Sequence, residues 1–406
     1  MEDRRAPFLL LEGEDPEALF AAVESPAYIL DEAKLHMNGQ LLASVAEQTG
    51  AKMLLAQKAF SGYDLYPLLC PYLFGTEASG LYEARLGAEE MPGREVHVFC
   101  AAYREKDFEP LIQYADDIVF NSPRQLEKFG PRAKAAGKSV GLRINPECST
   151  QYGRAIYDPC APGSRLGTTR RQWDSQMTEA LVQLLDGIHF HTLCEQGADA
   201  LAVTIRTVEL HFGDILPRMK WVNFGGGHHV TRPGYDMELL ETCIKNFRAR
   251  WKTDVYLEPG EAWALNAGYL VTRVLDVHQN GETSIAILDM SAACHAPDVI
   301  EMPYRPPLYG GGDAGEQPYT YRLGGPTCLA GDVLGDYSFQ EPLREGQLLT
   351  FGDMAIYTFC KNNTFNGMPL PDLWVRRRDG TLEKLTDFCY DDFKRRLGRT
   401  TREGVL

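Results

Sequence analysis

With 406 residues, the chain is longer than a typical single domain and points to two, with ample length to bury a core. It is 44% hydrophobic and 24% charged, an ordinary composition for a globular enzyme, and it has no apolar stretch long enough to span a bilayer. The formal net charge of -15 disfavours non-specific nucleic-acid binding and would favour cationic ligands, although acidity of this size also serves solubility alone.

The opening "MEDRRAPFLLLEGEDPEALF" has only a short apolar run broken by acids, so no signal peptide is expected and a cytoplasmic protein is the default. Ten cysteines are scattered singly with no CxxC pair, which argues against a zinc ribbon or a disulfide framework.

In chain order, β-rich runs fall at 27–30, 53–57, 95–99, 117–120, 140–144, 187–191, 220–224 and 254–258, eight in all. Between most of them lie helical segments. "EAKLHMNGQLLASVAEQTG" ends on a glycine stop, "SPRQLEKFGPRAKAAG" opens on a serine cap, and "DMELLETCIKNFRARW" follows the seventh run. Eight βα units predict an α/β fold, a (β/α)8 TIM-like barrel over 25–262.

Residues 145–172 form a long, helix-poor insertion after the fifth run, of the kind that serves as a functional lid. After 262 the rhythm changes to strand-like alternation, with an Asn-Gly hairpin signal at 280–281. Residues 1–24 and 263–406 are therefore expected to form a C-terminal β-rich domain, a β-barrel or sandwich.

The chemistry-bearing positions follow from the strand ends, because catalytic groups of such barrels sit at the C-terminal rim. Lys58 follows the second expected strand, His191 ends the sixth, Gly225, Gly226 and Gly227 follow the seventh, and Glu258 ends the eighth. Each has a bland reading: an ion pair, a hydrogen-bonded structural histidine, a turn, a solvated strand end. Together they supply an amine able to form a Schiff base, a flat imidazole, backbone N–H groups for a phosphate and an anchoring carboxylate. Pyridoxal 5'-phosphate needs those four parts. The competing reading is a metal-dependent barrel hydrolase, since "HFH" at 189–191 and His228-His229 could ligate a metal. That reading ranks second, because it leaves Lys58 and the glycines unexplained and no carboxylate ligand is obvious beside the histidines. No metal is expected.

The ordered motifs "QKAF" 57–60, "HFHTLCE" 189–195, "NFGGG" 223–227, "LEPGEA" 257–262, "GGPTCLAGD" 324–332 and "YTFCKNNTFNG" 357–367 resemble the alanine-racemase-type (fold III) pyridoxal phosphate decarboxylases. The resemblance begins at "SPAYILDEAKL" 25–35 and covers most of the chain. It implies that Lys58 carries the cofactor, that His191 stacks on its ring, that the glycine triplet holds its phosphate and that Glu258 pairs with the pyridine nitrogen. It also implies that Tyr357 contacts the phosphate and that Cys328, contributed across a homodimer interface, donates a proton to the decarboxylated carbon. The bland reading of Cys328 is a small buried hydrophobe.

Two departures from ornithine and diaminopimelate decarboxylases select a branch. Glu261 stands where those enzymes usually carry Arg after "EPG", and Leu329 stands where ornithine decarboxylases place an acid. Together with "DMSAACHAPDVIEMPYRP" 289–306, these motifs look like the carboxynorspermidine/carboxyspermidine decarboxylases, which remove the α-carboxylate from a carboxylated polyamine. Exchanging a guanidinium for a carboxylate moves the local charge toward negative, which suits a polyammonium substrate. Glu261 and Asp298 are the candidates for binding its amines. A diaminopimelate or other basic amino-acid decarboxylase of the same fold is the alternative. Thr192 stands where the family pattern would place Asn.

Overall fold

The computed structural model describes residues 15–151 and 155–398. Residues 1–14 of the expected β-rich domain, 152–154 of the 145–172 insertion, and 399–406 lie outside the described residues. The chain divides into two compact units, one from His36 to Trp263 and one joining the segment up to Leu35 with that from Ala264 onward.

The first unit is a closed ring of eight parallel strands: Lys52–Ala56, Gly75–Ala78, Glu95–Phe99, Asp117–Phe120, Ser139–Asn145, Gly187–His189, Trp221–Asn223 and Asp254–Leu257. The last closes on the first through Tyr256↔Lys52 and Leu257↔Met53. The barrel is filled rather than hollow. Leu54, Val119, Trp221 and Tyr256 form a core cluster with Phe74 and Phe99 against it. The indole of Trp221 has room because its neighbours are glycines: a Cβ at Gly141 or Gly187 would lie 2.4 or 2.1 Å from its ring.

Two strand assignments need correction. The run at 27–30, expected as the first barrel strand, lies in the other unit as Ala27–Asp31, antiparallel to 268–271 and parallel to Asp372–Arg376. The second barrel strand, Gly75–Ala78, was not expected at all, because "GTEA" carries a glycine, an alanine and a glutamate where a buried strand usually shows branched apolar residues. The two errors cancel, so strands three to eight keep their ordinal places and Lys58 follows the first barrel strand.

The outer helices start and stop where their side chains dictate. Ser122 Oγ accepts from the Gln125 N–H at the head of Pro123–Ala135, and Asp236 does the same for Leu239 at the head of Met237–Trp251. Helix Glu32–Thr49 ends at Gly50, whose φ of +68° suits a residue without a Cβ. In the insertion after the fifth strand, Thr168–Thr169 pairs with Ile144–Asn145, and Thr169 caps helix Arg170–Gln176 through a reciprocal box with Gln172. Among the described residues no helix is long and apolar enough to cross a membrane.

The second unit is a mixed sheet. Its order runs Val333–Phe339, Tyr319–Gly324, Thr283–Leu288, Gly268–Asn280, Ala27–Asp31, Asp372–Arg376, Leu382–Thr386, with Leu348–Gly352 also paired to Gly268–Asn280. Asn280 pairs with Thr283, so the hairpin loop is Gly281-Glu282, one residue beyond the expected pair, with Gly281 at φ +61°. Tyr28, Leu270, Leu288, Leu323, Tyr337 and Phe351 anchor its main core.

Candidate active site

The C-terminal ends of the barrel strands bring Lys58, His191, Gly225–Gly227 and Glu258 to one rim, as expected, and add four groups that were not singled out for a cofactor site: Glu77, Arg143, His189 and Asn223. Lys58 lies two residues beyond the first strand. Its side chain is 35% exposed, and its Nζ sits 2.9 Å from Glu77 Oε2, a carboxylate only 2% exposed on the second strand. Burial raises the Glu77 carboxyl, Lys58 opposes the rise and Glu258 adds to it, leaving the group pushed up to about 7.

Glu258 is held from two sides. Asn223, the last residue of the seventh strand, donates Nδ2 to Oε1 at 2.6 Å, and His189, the last residue of the sixth, faces Oε2 through Nε2 at 3.2 Å. Burial alone would raise this carboxyl, but His189 first, then Lys58 and His191, outweigh it and hold Glu258 well below the carboxylate range. His189 itself is lowered by burial despite Glu258, so at neutral pH it acts on the carboxylate as an N–H donor rather than as a cation. Glu258 is the ionised member of the site and Glu77 the one poised near neutrality.

His191 lies two residues beyond the sixth strand, which ends at His189. Its Nδ1 accepts the Gly226 N–H at 3.0 Å, fixing the imidazole proton on Nε2. Burial, with Arg143 and Lys58 nearby, lowers its pKa well below the ordinary value, so the ring is neutral. Arg143, buried on the fifth strand, donates to the His191 carbonyl at 3.1 Å and stacks on Phe99 with its guanidinium carbon 4.6 Å from the ring centre. Burial pushes the guanidinium down only to about 10, so it remains charged at neutral pH.

The glycine triplet differs from the nest of open N–H groups that the sequence predicts. The Gly225 N–H is taken by Asn223 Oδ1 at 2.8 Å and that of Gly226 by His191. The glycines are required by packing: a Cβ would meet the Phe190 carbonyl oxygen at 2.5 Å from Gly225, that of Glu258 at 2.5 Å from Gly226, and that of Leu193 at 2.1 Å from Gly227. Gly225 and Gly227 also sit at φ of +70° and +82°. The loop therefore wedges between the sixth and eighth strand ends and packs against both His191 and Glu258, with the Gly225 and Gly226 N–H groups already bonded within the protein.

Glu261 opens the short helix Glu261–Ala264, with Oε1 2.9 Å from His229 Nε2. Glu261 is thus already paired within the protein, ionically whenever the imidazole is protonated. Ligating atoms of Glu195, His229 and Glu261 lie within 4.8 Å of one another, as do those of His189, His191 and Glu258. The second group supplies the carboxylate that "HFH" lacked in sequence, yet its His191 Nδ1 is occupied by the loop. Thr192 faces Thr204 across 3.1 Å between buried hydroxyls.

In the sheet unit, Cys328 is exposed in the turn between Tyr319–Gly324 and Val333–Phe339, so the buried-hydrophobe reading does not hold for it. Tyr357 has a left-handed backbone, φ +55°. Asp298 is bridged by Lys361, which also pairs with Glu301.

These barrel residues fit the chemistry of pyridoxal phosphate. Each Glu258 oxygen accepts one protein donor and keeps capacity for another, the imidazole beside it is neutral and flat, and Lys58 is the partly exposed amine of the group. The comparisons agree. Residues 27–355 match the family described as "Pyridoxal-dependent decarboxylase, C-terminal sheet domain". A carboxynorspermidine/carboxyspermidine decarboxylase of Campylobacter jejuni is 40% identical over 93% of this chain and 99% of its own. A carboxyaminopropylagmatine decarboxylase of Synechocystis sp. is 39% identical over 93% of this chain and 96% of its own. The crystal structure of carboxynorspermidine decarboxylase complexed with norspermidine from Campylobacter jejuni superposes with a TM-score of 0.84 at 40% identity, covering 92% of this chain and all of that one. The chain belongs to the pyridoxal-dependent decarboxylase family and is an enzyme of that type, with pyridoxal phosphate as its cofactor.

Proposed function

We propose that this enzyme decarboxylates carboxynorspermidine and carboxyspermidine, yielding norspermidine and spermidine, as a cytoplasmic homodimer. The observation that carries the reading is the Glu258 centre: an ionised, doubly held carboxylate beside a neutral imidazole and a partly exposed lysine on one barrel rim. The bound cofactor supplies an electron sink for the pair released when the bond from Cα to the carboxylate breaks.

In this reading Lys58 would tether the cofactor, His191 and Glu258 would hold its ring, the Glu258 carboxylate would keep the ring nitrogen protonated, and the Gly225–Gly227 loop would hold its phosphate. Tyr357 is proposed, on the resemblance, as a further phosphate contact. When CO2 leaves, Cys328 of a second copy gives its Sγ proton to the carbon and regains one from solvent; its exposure in the single chain is consistent with a role at a dimer interface.

Charge supports a polyammonium substrate. Glu261 and Asp298 are each paired with a cation, yet each cluster contains a second carboxylate: Glu195 and Glu261 around His229, Asp298 and Glu301 around Lys361. The Asp298 and Glu301 pair therefore keeps one formal negative charge in excess of Lys361, which an ammonium can neutralise, whereas the guanidinium of Arg232 also acts on His229 and leaves no such excess there.

The second reading is a carboxyaminopropylagmatine decarboxylase, favoured by the nearly equal similarity to the Synechocystis relative. Steady-state CO2 release from carboxynorspermidine, carboxyspermidine, carboxyaminopropylagmatine and diaminopimelate tests all of these. The proposal expects the highest kcat/KM for one of the first two; a higher value for either of the others overturns it. Lys58→Ala should abolish turnover, and retained turnover would remove Lys58 from its role.

A further inference from the structure

We infer that Asp332 is a positioning residue that holds the Cys328 turn in place for catalysis; this rests on the reading of Cys328 as proton donor. Asp332 is 4% exposed, at the end of the "GPTCLAGD" turn. Its Oδ2 accepts both the hydroxyl and the N–H of Thr327, the residue before Cys328, at 2.6 and 3.3 Å. Its Oδ1 accepts the Ser291 hydroxyl at 3.0 Å and the Ala293 N–H at 3.2 Å. Backbone bonds close the turn on the same residue, from Gly325 N–H to the Asp332 carbonyl and from Asp332 N–H to that of Leu329, each at 2.9 Å.

The network reaches a third segment. Asn363 donates to the Ala293 carbonyl at 2.8 Å, and Asn366 accepts the Cys328 N–H at 3.2 Å. One buried side chain thus ties the 291–294 turn to the cysteine turn, and the 363–366 segment braces both.

Only a carboxylate meets this demand. Four donors converge on it, and two are backbone N–H groups that cannot reverse their role. The hydroxyls are oriented as well, since Ser291 Oγ accepts from the Cys294 N–H at 3.1 Å. An Asn would aim its own N–H2 at either Thr327 or Ala293. Gly325 completes the device, because a Cβ there would lie 2.3 Å from Asp332 Oδ2.

The test compares Asp332→Asn, which keeps the volume of the side chain, with Gly325→Ala, which leaves the carboxylate but displaces it. In the holoenzyme, three readouts are taken: kcat and KM, the rate at which iodoacetamide alkylates Cys328, and the stereochemical purity of the deuterium delivered to product in D2O. Both variants are expected to lose kcat by about 10²-fold, the cost of misplacing a reacting group by roughly 1 Å. KM should stay unchanged, alkylation of Cys328 should change, and deuterium should arrive from both faces. Wild-type kcat, alkylation rate and stereochemistry in both variants overturn the inference. Cys328→Ala, run alongside, separates the two ideas. Full turnover in that variant removes the proton-donor reading and the role of Asp332 with it, whereas an impaired Cys328→Ala beside a wild-type Asp332→Asn removes Asp332 alone.

Discussion

Gly226→Ala is a direct test of what the glycine loop does. Its added Cβ would lie 2.5 Å from the Glu258 carbonyl oxygen and 3.2 Å from Cε1 of His191. The first contact falls about 0.9 Å short of the 3.4 Å at which ordinary contact begins, and it is to backbone, which cannot swing aside as a flexible side chain could. The loop must therefore move off the eighth strand, taking with it the Gly226 N–H that orients His191. Overpacking of this kind costs about 1–3 kcal/mol of stability, and a shift near 1 Å between imidazole and carboxylate costs about 10²-fold in rate. The assay is kcat/KM for CO2 release together with the pyridoxal phosphate dissociation constant from an absorbance titration. Gly137→Ala is the control, with φ of +75° but open space around its Cβ, so it carries backbone strain without displacing the site. It should lose stability and keep activity. Wild-type kcat/KM and cofactor affinity in Gly226→Ala would refute the spacing role of the loop.

Asn223→Ala removes the 2.6 Å donor to Glu258 and strands the Gly225 N–H. An unmet buried partner costs about 1–3 kcal/mol, and weaker cofactor binding by titration should accompany the loss. Glu77 carries a pH signature: its folded pKa of about 7 lies above the ordinary value of 4.5, so its contribution to stability is complete below about pH 4.5 and fades as pH rises through 7. The difference is on the order of 3 kcal/mol at about 1.4 kcal/mol per unit. Glu77→Gln, which cannot ionise, should gain on the wild type between pH 4.5 and 8 in urea unfolding followed by tryptophan fluorescence; a pH-independent difference would sink this. Trp221→Ala should empty the barrel centre at a cost of about 3–5 kcal/mol, because Gly141 and Gly187 offer no side chain to fill the space. Urea midpoints of the two proteins measure it.

The rim was legible where chemistry followed a strong strand signal. "MLLAQK", "HFH", "NFGGG" and "LEPG" each place a polar group at the end of an apolar run, and those ends converge in any closed parallel barrel. Glu77 was hidden because its strand, "GTEA", has no apolar pattern; its burial is tolerated through Lys58, a partner that only the fold brings near. Asn223 and His189 were visible in quoted motifs, but their shared target, Glu258, lies 35 and 69 positions away in sequence. Asp332 closes the quoted cysteine turn in the same way. Two of its four donors come from the turn itself and two from a segment about forty residues upstream of Asp332, which no spacing rule joins.

The same limit explains the glycine triplet. From sequence, three glycines after a strand expose N–H groups, and anion binding is their natural use. In the fold, two of those N–H groups are spent on Asn223 and His191, while the absent side chains let the loop touch the carbonyls of Phe190, Leu193 and Glu258. What the glycines provide is closeness. They hold a neutral imidazole and an ionised carboxylate at a fixed separation on different strands, which a cofactor with a flat ring and a basic nitrogen requires. A phosphate-binding role confined to the loop predicts that alanine at Gly226 would weaken cofactor binding without altering the chemistry of bound cofactor. The spacing role predicts a fall in kcat that persists at saturating pyridoxal phosphate, and this difference decides between them.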